Sequence, residues 1–109
     1  MKKEFVLLAK SVKHGQNCIA GREIFRSGSK LQLGSWIRPI SDHDEGAINT
    51  LEILLEGGGL PQFLDIIEIY VGNNINNPTQ PENWLLEKKK WKKTGRVAVA
   101  SVFQYLVLP

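Results

Sequence analysis

Trp36 and Arg38 are the residues whose types and spacing most clearly suggest binding chemistry. They lie two positions apart in "GSWIRPIS", a stretch that reads as a β-strand. Side chains of a strand alternate between its faces, so Trp36 and Arg38 would share one face and Ile37 and Pro39 the other. An exposed indole can stack a planar base, and a neighbouring guanidinium can bind a phosphate or a base edge. The alternative is that Trp36 fills the core and Arg38 covers it through a cation–π contact.

Two other polar groups could contribute to the same kind of site. Lys13 and His14 form a basic turn with Gly15, where glycine allows a ligand to approach the backbone. In "PENW", the amide of Asn83 offers a donor and an acceptor that could read a base edge. The alternatives are an ordinary surface hairpin at the first position and a packing role around Trp84 at the second.

The sequence gives little material for catalysis or metal binding. Cys18 lies four residues after His14, but one cysteine and two histidines are too few for a convincing nucleophile pair or closed zinc site. We expect Cys18 to be a buried structural residue. The acidic stretch "DHDE" could hold a cation weakly but is expected to be a solvated turn. We therefore predict a chain that is not an enzyme and needs no cofactor or metal.

The positive charge is concentrated in one stretch. Residues 88–96, "KKKWKKTGR", hold six basic residues and no acid, which leaves eight of the fourteen basic residues to face eleven acids. This distribution favours a local contact with an anion, through Lys89, Lys90 and Lys92, over a surface that coats nucleic acid everywhere. The alternative is a solvated lysine turn that serves solubility.

Length and composition favour one soluble domain. The chain has 109 residues, 42% hydrophobic and 23% charged, which suits a single domain with one modest core. A single cysteine excludes an internal disulfide and suits a reducing cytoplasm. The apolar run near the start is too short for a signal-peptide core, and no stretch is long enough to span a bilayer. We expect a cytoplasmic protein with no membrane partner.

Short apolar segments separated by turn signals predict a mostly β protein. Gly21 suggests a bulge or bend within its strand, and Pro39 places the third strand at an edge or at its own end. Residues 50–59 suggest a helical turn and then a short strand, and "VAVASVFQYL" (97–106) suggests a closing helix. The fold predicted is a small OB-like β-barrel of about five strands with a short C-terminal helix, although the pattern also suits SH3-like barrels. Strands are expected at 4–12, 18–25, 34–41 and 63–71, the last buried on both faces.

Three stretches together resemble the bacterial dual OB-containing domain family. They are "AKSVKHGQNCIAGRE", "GSWIRPIS", and "LPQFLDIIEIYV" followed by "QPENWLLE". Their order and approximate spacing match the family, and "WKKTG" after the last one fits as well. The resemblance covers most of the chain, and the combination is more specific than any of its parts.

The resemblance implies an OB-like unit that binds nucleic acid, in bacterial proteins tied to mobile elements and defence against foreign DNA. It further implies that residues 1–109 form the first of two OB-like units, with the second unit or a partner chain packed on the C-terminal helix. The ligand expected is DNA or RNA, single-stranded or nucleotide-like. A nucleotide or small-ligand pocket and a protein-interaction scaffold are the alternatives. The predicted binding residues are Lys13, His14, Arg22, Trp36, Arg38, Asn83, Lys89, Lys90 and Lys92.

Overall fold

The computed structural model describes residues 1–13, 15–28, 30–42, 48–74 and 82–98. Most of this part of the chain is β-strand. A 3₁₀ helix spans Thr50–Ile53. The strands are β1 Lys2–Lys13, β2 Gln16–Ser27, β3 Lys30–Ile40, β4 Ile48–Asn49, β5 Asp65–Asn74, β6 Asn83–Leu86 and β7 Lys92–Arg96.

Five of the strands close into a barrel. β1, β2 and β3 form an antiparallel meander, β3 then pairs in parallel with β6, and β6 pairs antiparallel with β5. The circle closes because β5 also pairs antiparallel with β1. The order β1-β2-β3-β6-β5 around a closed barrel confirms the predicted mostly β, OB-like fold. β4 pairs with the start of β2, and β7 pairs with the start of β5.

The main core lies inside this barrel. Phe5 and Leu7 of β1 are fully buried and meet Ile67 and Ile69 of β5 in one apolar cluster. Trp91, just before β7, is the largest fully buried side chain, and its ring meets that of Phe5 edge to face at a centroid distance of 6.2 Å. Aromatic pairs favour this geometry because the positive edge of one ring faces the negative face of the other.

A smaller apolar cluster covers the outside of the barrel beside β1 and β5. Val6 and Ile66 alternate with the inward side chains of their strands, yet they are only 1% and 4% exposed because they pack together with Ile24. The prediction that Ile66, Ile67 and Ile69 are buried is confirmed, and so is burial of the fifth strand on both faces. Partly buried neighbours complete this outer cluster: Leu8, Leu31, Leu33 and Val97.

The segment between β3 and β5 adds to the main core. The 3₁₀ helix begins with a capping box, in which Asn49 and Glu52 each accept the other's backbone N–H at 3.1 Å. Ile53 of the helix and Leu55 after it are buried, and Leu55 forms an isolated bridge to Trp91. The predicted helical turn is confirmed, and in place of the predicted short strand the structure has a single bridge residue, Leu55.

The predicted closing helix at 97–106 falls almost entirely outside the described residues. Val97 and Ala98, which are described, are not helical. The strand β7 was not predicted, because its sequence "KKTGR" has no apolar pattern. In the part of the chain that the structure describes, no helix is long and apolar enough to cross a membrane.

Gly21 lies at a close approach of β1 and β2. The register of the two strands shifts between Leu7 and Ala9, so that Leu8 bulges out of β1 opposite Gly21. A Cβ atom added to Gly21 would collide with the carbonyl of Val6 and would lie 2.6 Å from Cδ2 of Phe5. The β1–β2 ladder is irregular at Gly21, but the extra residue belongs to β1 and not, as predicted, to the strand of Gly21 itself.

Asp65 is a buried carboxylate that ties β5 to β7. Its side chain is 1% exposed, and its Oδ2 accepts the backbone N–H of Gln62 at 2.8 Å. Its Oδ1 accepts from Nη1 of Arg96 at 2.8 Å and lies 3.2 Å from Nζ of Lys93. Burial alone would raise the pKa of Asp65, but these donors together outweigh it and hold the pKa below its ordinary value.

Replacing Gly21 with alanine should destabilise the barrel by about 1–3 kcal/mol, because the new methyl group meets backbone that cannot move aside cheaply. Urea unfolding measures the change. Gly72→Ala is the matched control, since only the carbonyl oxygen of Leu85 lies within 4.0 Å of its added Cβ. The close approach would be contradicted if the two variants unfolded at the same urea concentration.

The stabilising effect of Asp65 should depend on pH. Its folded-state pKa lies below the unfolded value, so the ionised carboxylate stabilises the fold above about pH 4, and this contribution is lost as the pH falls through the folded pKa. The difference in unfolding free energy between the parent and Asp65→Asn should therefore be largest near neutral pH and shrink in acid. Urea unfolding across a pH series tests this. The control is Glu56→Gln, an exposed residue with no ion pair among the described residues, and it should follow the parent. A difference that is constant from pH 7 to pH 3 would contradict the assignment.

Candidate functional site

The predicted alternation along β3 is present. Ile37 and Pro39 are buried, while Trp36 is 47% exposed on the outer face and Arg38 is partly exposed. The alternative in which Trp36 fills the core is therefore wrong. No cation–π contact joins Arg38 to Trp36 in the described structure, where the two such contacts are made by Lys3 and Lys89. The indole is therefore available to a ligand.

Arg22 faces Trp36 across the β2–β3 ladder. The two residues are direct partners in the antiparallel register. The Nε of Arg22 donates to the backbone carbonyl of Gly34 at 2.7 Å, which fixes the side chain along the strand. Arg22 has no acidic partner among the described residues, so its charge is uncompensated by them. An aromatic platform and an uncompensated cation thus lie side by side.

Arg38 is held between the barrel and Glu82. Its backbone N–H donates to the carbonyl of Glu82 at 2.8 Å, and its Nη2 lies 3.7 Å from Oε1 of Glu82. Its Nε is buried and has no hydrogen-bond partner in the described part of the chain. Leaving a buried donor without an acceptor costs folding free energy. The described residues therefore leave part of the hydrogen-bonding capacity of the Arg38 guanidinium unused. Glu82 also offsets part of the charge that Arg38 would offer to an anion.

A groove of about 570 Å³ crosses the outer face of β1, β2 and β3 beside these residues. Its floor consists mainly of small side chains, which leave space above the sheet. Phe63, on the turn before β5, is 54% exposed and lines the same groove. Phe63 is not among the predicted binding residues, because a single aromatic in a loop carries no periodic signal. The full lining is Leu8, Ala9, Lys10, Ser11, Cys18, Ala20, Arg38 and Phe63.

Cys18 is exposed, which corrects the expectation that it is buried. Its neighbours Asn17 and Ile19 are the buried residues of this part of β2, and Cys18 alternates with them to face the groove. In the β1–β2 register it lies opposite Ser11. The thiol is therefore part of the groove floor.

The β1–β2 turn lies next to the groove. Lys13 ends β1 two residues after Ser11 and pairs with Gln16 across the hairpin, and Gly15 adopts a positive φ of 74°. The predicted hairpin is confirmed, and β2 and β3 do pair. His14 lies outside the described residues. The backbone thus brings the position of Lys13 close to the end of the groove floor.

Asn83 is placed differently from the prediction. It begins β6 opposite Arg38 but is only 7% exposed, and it takes part in an interaction within the protein. Its amide therefore presents little surface to a ligand. Trp84, beside it, is partly buried against the main core, with Nζ of Lys3 4.3 Å from its ring centroid. The alternative given for "PENW", a packing role around Trp84, is therefore the one observed.

The lysine stretch does not join the groove. Lys89 and Lys90 line a second cavity of about 460 Å³, which shares no lining residue with the groove. The Nζ of Lys89 lies 4.6 Å from the ring centroid of Tyr70. Lys92 is exposed on β7, at the register position opposite Glu68 of β5. The predicted residues thus fall into two separate surfaces, with Arg22, Trp36 and Arg38 on one and the lysines elsewhere.

No cluster of three or more histidine, cysteine, aspartate or glutamate side chains suited to a metal ion occurs among the described residues. The stretch "DHDE" lies mostly outside them, since only its first residue, Asp42, is described.

Comparison with known proteins gives one finding. The comparisons with curated proteins and with solved structures return no match. A family model described as the dual OB-containing domain matches residues 3–109, nearly the whole chain. The match agrees with the closed barrel and with the stretches that suggested this family. The chain belongs to the dual OB-containing domain family.

Proposed function

We propose that this chain is a nucleic-acid-binding module whose ligand lies across the outer face of β1, β2 and β3. The observation that carries the proposal is the pairing of an exposed Trp36 with an uncompensated Arg22 on this face. In OB folds generally, the face of strands 2 and 3 and the adjoining loops bind oligonucleotides and oligosaccharides. The β1–β2 turn flanks the same face here, and Glu82, directly before β6, lies 3.7 Å from Arg38.

Each residue of this face has a separate physical role in the proposal. Trp36 stacks a base, which does not depend on base identity because every base has a π-face. Arg22 binds a phosphate through the guanidinium nitrogens that Gly34 does not use. Arg38 contributes less charge, since Glu82 lies 3.7 Å away, and it can donate Nε to a ligand oxygen if its side chain shifts. Lys13 and His14 extend the contact at the β1–β2 turn.

The proposal assigns no catalytic step to the chain and no metal or cofactor. The bacterial mobile-element or defence setting that the family implies forms part of the proposal, as does a cytoplasmic location. The lysines near residue 90 are outside the groove, so in this proposal they attract a polyanion at a distance and do not contact the bound bases.

A nucleotide pocket is the second candidate, and the size of the groove supports it. A volume of about 570 Å³ lies within the range of roughly 300–1,000 Å³ that small-molecule sites occupy. The two candidates differ in ligand length and salt dependence. A pocket should bind a mononucleotide as tightly as an oligonucleotide, whereas contacts to several phosphates should make oligonucleotide binding fall steeply with salt.

Binding of a fluorescent single-stranded oligonucleotide, measured by anisotropy at several salt concentrations, tests the roles of Arg22 and Trp36. Arg22→Gln should weaken binding and make the slope of log K against log salt shallower by about 0.7, one phosphate's share for a single strand. Trp36→Leu should weaken binding by about 5- to 150-fold with an unchanged slope, since stacking is worth about 1–3 kcal/mol per base.

Lys30→Gln is the control for lost positive charge, because Lys30 is exposed at the start of β3 and does not line the groove. It should keep both the affinity and the slope of the parent. If Arg22→Gln and Trp36→Leu both bind like the parent, this face is not the binding surface.

A further inference from the structure

Phe63 stands at the edge of the groove opposite Arg38. The turn that carries it is fastened to β1, since Nζ of Lys10 donates to the carbonyl of Pro61 at 2.9 Å and the N–H of Leu64 donates to the carbonyl of Leu7 at 2.8 Å. Arg38 belongs to β3. β1 and β2 therefore form the floor between Phe63 and Arg38.

The turn keeps an unusual backbone conformation next to Phe63. Leu64 has a φ of 75°, a left-handed value that is rare for residues other than glycine. Residues persist in such conformations only where their surroundings over-determine them, and these sites concentrate at ligand clamps and active sites. Leu64 is 3% exposed and Phe63 is 54% exposed, so the conformation buries the first side chain and leaves the second in solvent.

Several contacts hold this conformation in place. The N–H of Val97 donates to the carbonyl of Leu64 at 2.9 Å, and the N–H of Asp65 donates to the carbonyl of Gln62 at 3.0 Å. The carboxylate of Asp65 accepts the N–H of Gln62 and is itself fixed by Arg96. The cations of β7 thus stabilise the turn that presents Phe63. A half-exposed phenylalanine on a well-fixed turn requires no rearrangement before it meets a ligand.

We propose that Phe63 is a second base-stacking residue, and that the ligand is an unpaired strand of at least two nucleotides. This inference rests on the proposed function and deepens it. One base stacks on Trp36 and the next lies on the small floor of Ala9, Cys18 and Ala20 against Phe63. A paired base has its faces covered by its neighbours in the helix, so a duplex cannot offer a face to Phe63. The site therefore selects single strands.

Anisotropy titrations with a short single-stranded oligonucleotide and with the corresponding duplex test this proposal. Phe63→Ala should weaken single-strand binding by about 5- to 150-fold, leave the salt slope unchanged and change duplex binding little. Phe63→Trp should retain binding, because the indole also stacks. Phe25→Leu is the matched control, since Phe25 is 50% exposed and does not line the groove, and it should bind like the parent.

A further variant addresses the floor of the groove. Ala20→Leu fills space above the groove floor on which the second base is proposed to lie, and it should weaken single-strand binding as well. Thermal unfolding confirms that each variant is folded before it is titrated. If Phe63→Ala and Ala20→Leu bind single strands like the parent while Arg22→Gln and Trp36→Leu do not, the second stacking position is wrong and the proposed function stands. If the parent binds duplex as tightly as single strand, the selection for unpaired bases is wrong. If the parent binds neither, both proposals fail.

Discussion

The close approach of β1 and β2 at Gly21 is the constraint on which both the barrel and its outer face depend. β1 must pair with β2 along one edge and with β5 along the other, which requires it to bend. The bulge at Leu8 provides the bend, and only a residue without a Cβ fits opposite it. The bulge also aims Leu8 and Ala9 outward together, where they line the groove. Closure of the barrel and the shape of the candidate site thus have one cause.

Electrostatics explain why the average charge of the chain is a poor guide to its surface. The basic stretch seemed to be a single patch, yet Lys93 and Arg96 both pair with the buried Asp65. These cations join β7 to β5 and are structural. On the groove face, by contrast, Arg22 has no acidic partner among the described residues. A cation that lies beside an exposed aromatic residue and has no acidic partner among the described residues suits ligand binding better than Lys93 and Arg96, whose charges are used within the fold.

Strand periodicity was the sequence feature that best predicted which side chains share a face and which are buried. Successive side chains of a strand must face opposite ways, and this alternation correctly placed Trp36 and Arg38 on the face opposite to Ile37 and Pro39. Whether that face was covered by the core could not be decided from the alternation alone. The apolar run of β5 likewise predicted burial on both faces. Such patterns are local, so a single sequence is enough to read them.

What the sequence could not predict depends on contacts between distant segments. β7 pairs with β5 and its cations meet Asp65 across the ladder, and no local pattern in "KKTGR" reveals either contact. Phe63 reaches the groove because a turn far from β2 in the sequence is fastened to β1. Cys18 was expected in the core on residue type alone, whereas its strand position faces it outward. The separation of the lysines from the groove also follows only from the three-dimensional arrangement.

The central claim is that a single strand lies on the floor of this groove, and Cys18 allows the most direct test. It is the one cysteine of the chain and it lines the floor, so its modification by a thiol reagent reports on that surface alone. A saturating single-stranded oligonucleotide should slow the modification of Cys18 strongly. As a control, the double variant Cys18→Ala, Ser27→Cys carries its single cysteine at an exposed position that does not line the groove. The oligonucleotide should not change the rate at which this cysteine is modified. If anisotropy shows the oligonucleotide bound while Cys18 reacts at its free rate, the ligand lies elsewhere and the account of this face is wrong.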